Sequence, residues 1–295
     1  INFRTNGNGG TASAVIKYDE SQTNFGIETN GTRSLSIDSS QRVLINATST
    51  HGINANLQVR NDSNGHNLEV LRSNDSSNPA RIWMGKSRGS SGSPSAVNDD
   101  DFLGEVRARG YDGSAYRESA SVAFVADATP GSSSCPGRIE FYTEDSNSNS
   151  FTERLRIDSV GTIHFKNGLM IENGSTGTTA RNGTQNVDLD AGMVRYYSTA
   201  STGTWKPNFR VSSSVSINSL MGTSDVISPT MIVAKGSTSH HSDTIQVDGT
   251  DVTPEFLGGA PSDGGGSGTF DVYSYTIIKT GDAAFKAFAS VSTYE

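Results

Sequence analysis

Short runs of alternating apolar and polar residues, separated by tight-turn dipeptides, constrain this fold more than any other feature of the sequence. Runs such as Leu35–Ile37, Arg42–Ile45 and Leu155–Ile157 are typical of strands with one buried face. Asn-Gly and Asp-Gly pairs, which accept positive φ values, lie between the runs, for example at Asn30-Gly31 and Asp112-Gly113. Because no window shows an apolar period of 3.6 residues, the sequence predicts an all-β chain.

Large apolar residues are too scarce for every strand pair to bury a face within one chain. Leu, Ile, Val and Phe are 59 of the 295 residues, close to the level of about 20% below which chains tend toward disorder. A net charge of only −8 and the regular apolar pattern argue against disorder. Identical copies can pool their apolar faces on a symmetry axis, so the sequence predicts an oligomer with a shared core.

Composition also limits the classes of function. The one cysteine, Cys135, excludes an intrachain disulfide framework and a four-cysteine zinc site, and it is interpreted as a small, semi-buried spacer. No stretch of about 18 apolar residues predicts a membrane span, and no lysine or arginine cluster indicates duplex nucleic acid. No phosphate-loop or nucleophile motif is present in the sequence, so no cofactor is expected.

Changes in composition predict four regions. Residues 1–50 are an N-terminal β-rich shaft segment, and residues 51–165 are a second β-rich block that contains a polar loop at Ser87–Asp101. Residues 166–185 are rich in Gly, Asn and Thr, which is typical of a linker. Residues 186–295 contain strand-like runs that suit a β-sandwich of jelly-roll type. In its last two strands one predicted buried face consists of Phe270, Val272, Ile278, Phe285, Ala287, Ala289 and Val291.

An internal echo links the first two regions. Leu35–Ile45 and Leu155–Phe165 both contain a strand, an Asp-Ser turn and a second strand. The carboxylates of Asp38 and Asp158 are suited to such turns because an aspartate side chain can bond the backbone two residues further on. The echo predicts one supersecondary unit that is used twice.

A series of short motifs runs through the second block, at Leu103–Gly113, Ala128–Gly131, Pro136–Ile139 and Glu153–Ser159. Their order of small-Pro-Gly, Pro-Gly-Arg and Glu-Arg-Leu-Arg-Ile-Asp resembles a segment that is widespread in bacteriophage tail fibre proteins. In that family the segment precedes a C-terminal tip or a self-cleaving chaperone.

The C-terminal region carries a second resemblance. Its motifs Trp205–Arg210, Gln246–Gly249 and Asp271–Thr280 are similar to a terminal domain of fibre-like proteins of marine phages. The two resemblances imply a homotrimer on the virion, in a tail fibre or another surface appendage, with an intertwined trimeric β-rich shaft before the tip domain. They also imply contacts with other virion tail or adaptor proteins and with a host surface glycan or outer-membrane protein.

Aromatic residues and a polar loop are the candidate receptor-binding features of the last domain. Tyrosine and tryptophan combine apolar area with a polar tip and commonly meet sugars and protein surfaces, although packing in the core is the alternative for each. The loop Leu257–Thr269 is polar and rich in Gly, and such loops vary without disturbing a scaffold. The candidate receptor-binding residues are Tyr196, Tyr197, His240, His241, Asp263, Ser267, Tyr273 and Tyr275, with Trp205 and Tyr294 in the same aromatic set.

Three polar clusters are not predicted to bind metal. His240 and His241 would point to opposite faces of a strand, so they cannot both bind one ion with Asp243 without a bulge or turn; one histidine from each chain on a trimer axis is the alternative. The resemblance to the terminal domain implies packing or surface contact, because aromatic residues often stand at this position there. The run Asn98–Asp101 lacks the spaced ligands and the turn glycine of a calcium loop, and is interpreted as a solvated loop. Asp188 and Asp190 share one face of a strand, which is expected to face water.

Glycoside hydrolysis is the main enzymatic alternative. It requires two carboxyl groups roughly 5–9.5 Å apart across a groove, and the sequence offers several glutamates without indicating their positions in space. The long repetitive solenoid of polysaccharide-degrading tailspikes is missing, so no catalytic residue is predicted. The available glutamates are Glu105, Glu118, Glu140, Glu144 and Glu153.

Three functions follow in order of preference. The first is a structural subunit of a homotrimeric phage tail fibre or spike whose C-terminal domain binds the host surface, with multivalency strengthening adsorption. The second is a purely structural connector, or a head or collar fibre, without receptor contact. The third is a polysaccharide-degrading tailspike enzyme.

Overall fold

The computed structural model of this protein describes residues 2–3, 14–19, 24–29, 32–47, 55–60, 67–145, 150–238, 240–261 and 269–294. These form two compact units: the first is residues 1–141 with 158–160, and the second is residues 142–157 with 161–295. Nearly all regular structure in them is β, which confirms the predicted class. No helix in these ranges is long and apolar enough to cross a membrane.

Six short strands of the first unit form a sheet in sequence order. Asp38 builds the turn between the fourth and the fifth, because its Oδ1 accepts hydrogen bonds from the N–H groups of Ser40 (2.9 Å) and Arg42 (3.0 Å). Neighbouring strands are antiparallel except the last pair. The strands are β1 (Asn2–Phe3), β2 (Ala14–Asp19), β3 (Asn24–Thr29), β4 (Thr32–Ile37), β5 (Val43–Ile45) and β6 (Leu57–Val59).

A small hairpin and a five-stranded sheet follow. Asp112 closes the turn between the two longest strands of this sheet, since its Oδ1 accepts the N–H groups of Ser114 and Ala115 at 2.7 Å and Gly113 takes a φ of +99°. The hairpin is β7 (Arg88–Ser90) with β8 (Ser93–Ser95), and the sheet contains β9 (Phe102–Tyr111), β10 (Tyr116–Ala126), β11 (Gly137–Glu144), β12 (Phe151–Ile157) and β13 (Ile163–Phe165) in sequence order.

The predicted echo between the two strand–turn–strand units is confirmed. The N–H of Val160 donates to Oδ1 of Asp158 at 3.1 Å, as that of Ser40 donates to Asp38. Gln41 and Gly161 occupy equivalent places in the two turns, with φ of +63° and +87°. The same turn chemistry therefore joins β4 to β5 and β12 to β13.

The rest of the second unit is a sandwich of two sheets. One sheet has the order β14-β16-β19-β23-β24-β22 with β18 beside β23, and the other has the order β15-β17-β20-β21. The elements are β14 (Ser175–Gly177), β15 (Gly183–Asp188), a 3-10 helix (Leu189–Ala191), β16 (Val194–Tyr197), β17 (Trp205–Arg210), α1 (Ile217–Leu220), β18 (Val226–Ile227), β19 (Thr230–Ala234), β20 (Ile245–Val247), β21 (Thr250–Val252), β22 (Glu255–Phe256), β23 (Phe270–Gly281) and β24 (Ala284–Tyr294).

The chain alternates between the two sheets as it advances. β14, β16 and β19 are parallel neighbours in one sheet, and β15, β17 and β20 are parallel neighbours in the other. Parallel strands need a crossover, and here each crossover runs through a strand of the opposite sheet. The antiparallel pairing of a jelly roll is found in β19-β23-β24. β14 and the start of β15 lie within residues 166–185, which composition alone assigns to a linker.

The core of the sandwich lies between the two sheets. Trp205 meets Tyr273 edge-on with ring centroids 5.2 Å apart, and Phe209 meets Tyr275 in the same way at 5.2 Å. Each pair joins β17 of one sheet to β23 of the other. The other buried apolar members are Val187, Ile217, Met221, Met231, Val233, Ile245, Val247, Ile277, Ala287 and Ala289.

The predicted buried face of β23 is wrong, whereas that of β24 is confirmed. Phe270, Val272 and Ile278 are only half-buried, and the alternate set, which includes Tyr273 and Tyr275, points into the core. Both faces of β23 carry apolar residues, so a period of two does not decide between them. The core-facing set ends at Lys279. This lysine is buried because its ammonium group donates hydrogen bonds to two backbone carbonyls near α1.

Candidate assembly surface and binding residues

The hairpin of β9 and β10 in the first unit exposes large apolar side chains on one face. Val106 lies opposite Val122, and Gly104 lies opposite Phe124, so these positions share a face. Val106 is 63% exposed and Phe124 is 37% exposed, while Phe102, which pairs with Val125 beyond a register shift at the start of β9, is 48% exposed. Monomeric proteins rarely leave contiguous apolar patches uncovered, so this face is a candidate assembly surface.

Residues 81–88, which we call the arm, are anchored to the start of β9. Arg88 donates to both carboxylate oxygens of Asp101, at 2.6 and 2.7 Å, and the Lys86 ammonium lies 3.2 Å away. Hydrogen bonds from Arg88 and from the N–H of Asn98 hold the pKa of Asp101 below the ordinary aspartate value of about 3.9. The Asp101 carboxylate is therefore ionised and holds the arm at pH values above the ordinary aspartate pKa. Its ion pairs with the arm are lost only as the pH falls through the lowered pKa of the folded state.

The middle of the arm crosses β9 at a glycine. A Cβ atom on Gly104 would lie 2.8 Å from the Cβ of Met84, so only glycine permits this approach. Ile82 and Trp83 stay 70% and 83% exposed and border an open hollow of about 340 Å³, which is also lined by Met84, Leu103, Gly104 and Phe124. We call Ile82, Trp83, Phe102, Val106 and Phe124 the assembly surface.

Loss of the Asp101 carboxylate is expected to release the arm. In Asp101→Asn the ionic bonds to Lys86 and Arg88 disappear, so limited trypsin digestion at neutral pH should cut after these two residues several-fold faster than in the native protein. Asp75→Asn, which changes an exposed carboxylate upstream of the arm, is the matched control. Equal cleavage rates in the two variants would contradict the anchoring role.

An acidic corner surrounds a buried arginine beside the arm. Arg138 contacts Glu140 and Asp100 at 2.6 Å and Asp127 at 3.3 Å, and it donates to the carbonyl of Ala126 at 2.9 Å. Arg138 is 8% exposed and Glu140 is 1% exposed. We use "acidic corner" for the carboxylates Asp99, Asp100, Asp101, Asp127 and Glu140, which are contacted by the cations Lys86, Arg88 and Arg138.

The acidic run Asn98–Asp101 is only partly the solvated loop that its composition predicts. Asp99 and Asp100 are exposed, in agreement with that interpretation, but Asp101 is 8% exposed. Burial of a carboxylate requires charged partners, and the arm supplies them. The sequence could not show this, because the cations lie more than ten residues upstream.

Two of the candidate receptor residues are removed from the surface. Tyr273 and Tyr275 are 1% and 2% exposed, and burial raises the pKa of both phenols. Trp205, of the same aromatic set, is also buried at 1%. These three rings pack in the core, which is the alternative that the sequence left open for them, and they cannot touch a receptor in this fold.

The remaining candidates lie in different surroundings. Tyr196 is 38% exposed and stacks on Phe270 with centroids 5.6 Å apart. His240 and His241 are half-buried in a segment without strand structure, and the backbone carbonyl of His241 accepts the N–H of Trp205 at 3.2 Å. Asp263 and Ser267 lie outside the residues that the structure describes.

Tyr197 is half-buried beneath a buried cation. The guanidinium carbon of Arg181 lies 4.3 Å from the centre of the Tyr197 ring and 6.0 Å from that of Trp205. Arg181 is fully buried, and desolvation lowers the pKa of its guanidinium to about 10. Its NH2 donates to the carbonyl of Thr199. Tyr197 thus serves a cation–π contact inside the domain.

No group of three or more histidine, cysteine or carboxylate side chains in the described ranges is arranged to hold a metal ion, and this covers His240, His241 and Asp243. Asp188 does not simply face water, because it pairs with Arg210. Cys135 is exposed, which corrects its interpretation as a semi-buried spacer.

Within the described ranges, four of the five glutamates considered for glycoside hydrolysis, all except Glu144, are paired with arginines. Arg107 contacts both Glu105 and Glu118, and the hydrogen bond from Arg107 is the main cause of a lowered pKa at Glu118. Glu153 pairs with Arg156 at 2.7 Å. A general acid needs a raised pKa, and the hydrogen bond from Arg107 has the opposite effect on Glu118.

The sandwich also carries a polar groove that no motif in the sequence predicts. It encloses about 310 Å³ and is bounded by the end of β17, the serine-rich loop after it and the turn between β20 and β21. The carboxylate of Asp248 is fully engaged by the N–H groups of Ile217 and Asn218, both at 2.8 Å, which holds that wall in place. The lining residues are Asn208, Arg210, Ser212, Ser213, Ser214, Val215, Ser216, Asp248 and Gly249.

Comparison with known proteins gave matches among solved structures alone. No protein-family model matches the sequence, and no curated protein matches it. The carboxy-terminal domain of the bacteriophage T5 L-shaped tail fibre is similar at 16% identity and a TM-score of 0.41, over 56% of this chain and 76% of that chain. The same domain with its intramolecular chaperone domain is similar at 16% identity and a TM-score of 0.42, over 56% of this chain and 52% of that one.

Proposed function

We propose that this chain is a structural subunit of a homotrimeric phage tail fibre or related virion appendage, without catalytic chemistry. The observation that carries the proposal is the assembly surface of the first unit, where five large apolar side chains are 37% to 83% exposed. Of the motifs that resemble phage tail fibre proteins, Leu103–Gly113 covers most of β9, which carries part of this surface.

Burial of these exposed side chains between neighbouring chains would stabilise the assembly. Complete burial of one large apolar side chain is worth about 1.5–3 kcal/mol, so five such residues on each of three chains give a strong drive for assembly. The small number of apolar residues in the whole sequence also predicts a core that is shared between copies. A fibre subunit forms such a core by placing these apolar faces around a common axis.

Sedimentation at micromolar concentration tests the assembly. The native protein is expected to sediment with three times the chain mass of 31.1 kDa, and Val106→Glu is expected to shift most of it to single chains, because a carboxylate would be buried in the interface. Leu220→Glu changes an exposed aliphatic residue of the second unit and should leave the trimer intact. A monomeric native protein would overturn the proposal.

The second part of the proposal is that the C-terminal sandwich binds the host surface. The polar groove supports this part, because serine hydroxyls, an amide and a guanidinium can meet the hydroxyl groups of a surface glycan. Tyr196 and the more exposed Tyr294 are tyrosine rings available for stacking in the same domain. Three weak sites on one fibre would add up through multivalency.

A bulky residue in the groove is expected to reduce adsorption. Ser213→Trp should lower the binding of fluorescently labelled protein to host cells at least tenfold if the groove holds the glycan. Ser292→Trp, at an exposed serine of β24, is the control and should bind like the native protein. Unchanged binding by both variants would exclude the groove, and absence of binding by the native protein would favour the purely structural role.

A further inference from the structure

We infer that the arm of each chain docks on the next copy of the chain, with Trp83 filling the hollow beside that copy's own arm. The inference rests on the proposed trimer and specifies its contacts. It assigns Trp83 as the donor, and the walls formed by Leu103, Gly104 and Phe124 as the acceptor.

The first reason is that none of the residues that the structure describes covers Trp83. The arm is held at one end by the bidentate bond between Arg88 and Asp101. In its middle, Met84 already occupies the space above Gly104. Trp83 therefore remains 83% exposed on a segment that is fixed in place. Ordering a segment costs conformational entropy, and covering the indole with a second copy compensates for that cost.

The second reason is that the hollow has the apolar character of a site for an indole ring. The hollow of about 340 Å³ is open and apolar, with exposed Phe124 on one wall. An indole buried against aromatic and aliphatic walls is the type of anchor that dominates protein interfaces. Because the hollow and the arm occur on every copy, each chain donates one tryptophan and receives one.

The third reason is charge complementarity. Arg81 is exposed and has no ion-pair partner among the residues that the structure describes. In the acidic corner, Asp99 and Asp100 are exposed carboxylates, so the corner can accept the Arg81 of the next copy when Trp83 enters the hollow.

A head-to-tail contact of this kind also explains the closed assembly. The donating and receiving surfaces differ, so the contact is heterologous, and a heterologous contact closes into a ring when its rotation permits. Three copies related by a threefold axis leave neither an uncovered tryptophan nor an empty hollow. A two-fold dimer would instead require one patch to pair with itself.

Fluorescence quenching tests the inference on the intact protein. The chain has two tryptophans, and Trp205 is 1% exposed. Acrylamide should therefore quench the native trimer about as weakly as Trp83→Phe, in which Trp205 alone emits. Quenching several-fold stronger in the native protein than in Trp83→Phe, with the trimer intact by sedimentation, would overturn the docking of Trp83 and leave the proposed function standing. A monomeric native protein would overturn both.

A covalent test identifies the partner. Because Trp83 and Phe124 of one chain line the same hollow, the two cysteines are placed on different chains. In a Cys135→Ser background, Trp83→Cys chains refolded together with Phe124→Cys chains should give a disulfide-linked pair of chains on denaturing gels after treatment with a thiol oxidant such as diamide. Each variant oxidised by itself should remain a single chain. If the mixture forms trimers by sedimentation yet yields only single chains after oxidation, the arm does not reach the neighbouring hollow and the inference is wrong.

Discussion

Arg138→Ala is expected to destabilise the first unit by about 3–5 kcal/mol, the usual effect of breaking a buried ion pair from one side. Arg138 is the cation that Glu140, Asp100 and Asp127 share. Its loss leaves the carboxylate of Glu140, which is 1% exposed, without that partner. Urea unfolding at one fixed protein concentration measures the change, and hydrogen exchange shows whether it is confined to the first unit.

Two matched variants separate this mechanism from a simple loss of packing. Arg138→Leu combined with Glu140→Leu removes both charges and should recover most of the lost stability, since apolar replacement of a buried pair is often neutral or better. Arg109→Ala removes an exposed partner of Glu118 and should cost less than about 1 kcal/mol. If Arg138→Ala behaved like Arg109→Ala, the acidic corner would have no role in stability.

The second large effect is expected in the sandwich core, at Tyr275. Tyr275→Ala should cost about 3–5 kcal/mol, as is usual when a buried aromatic ring is removed, because the ring packs edge-on against Phe209 at 5.2 Å. Tyr275→Phe should stay within about 1 kcal/mol of the native protein, since the phenol oxygen makes no hydrogen bond among the described residues. Thermal unfolding of the three proteins at equal concentration compares them.

The same pair of variants decides between a core role and a binding role. If Tyr275 only packs, Tyr275→Phe should adsorb to host cells like the native protein. A selective loss of adsorption in Tyr275→Phe, with unchanged stability, would restore Tyr275 as a receptor residue and contradict its placement in the core.

The turns could be predicted from the sequence because their chemistry is local. Asp38, Asp112 and Asp158 each accept backbone N–H groups two or more residues further on. The interaction depends on neighbours in the chain and on the short aspartate side chain. The echo between β4–β5 and β12–β13 was predictable for the same reason.

The buried face of β23 and the arm could not be predicted, because both depend on distant residues. Tyr273 and Tyr275 are core residues only because β17 brings Trp205 and Phe209 to them. The arm carries no strand pattern, and its position depends on Asp101 and Gly104, which lie on the strand that it crosses. Periodicity gave no signal for either contact.

The amino-acid sequence by itself determined the β class, the positions of the turns and the shortage of apolar residues, since these follow from local backbone preferences and from composition. The tertiary structure alone decided which face of β23 is buried, which carboxylates receive arginines and where the uncovered apolar residues gather. Such choices depend on contacts between residues far apart in the chain, whose free energies no local pattern encodes.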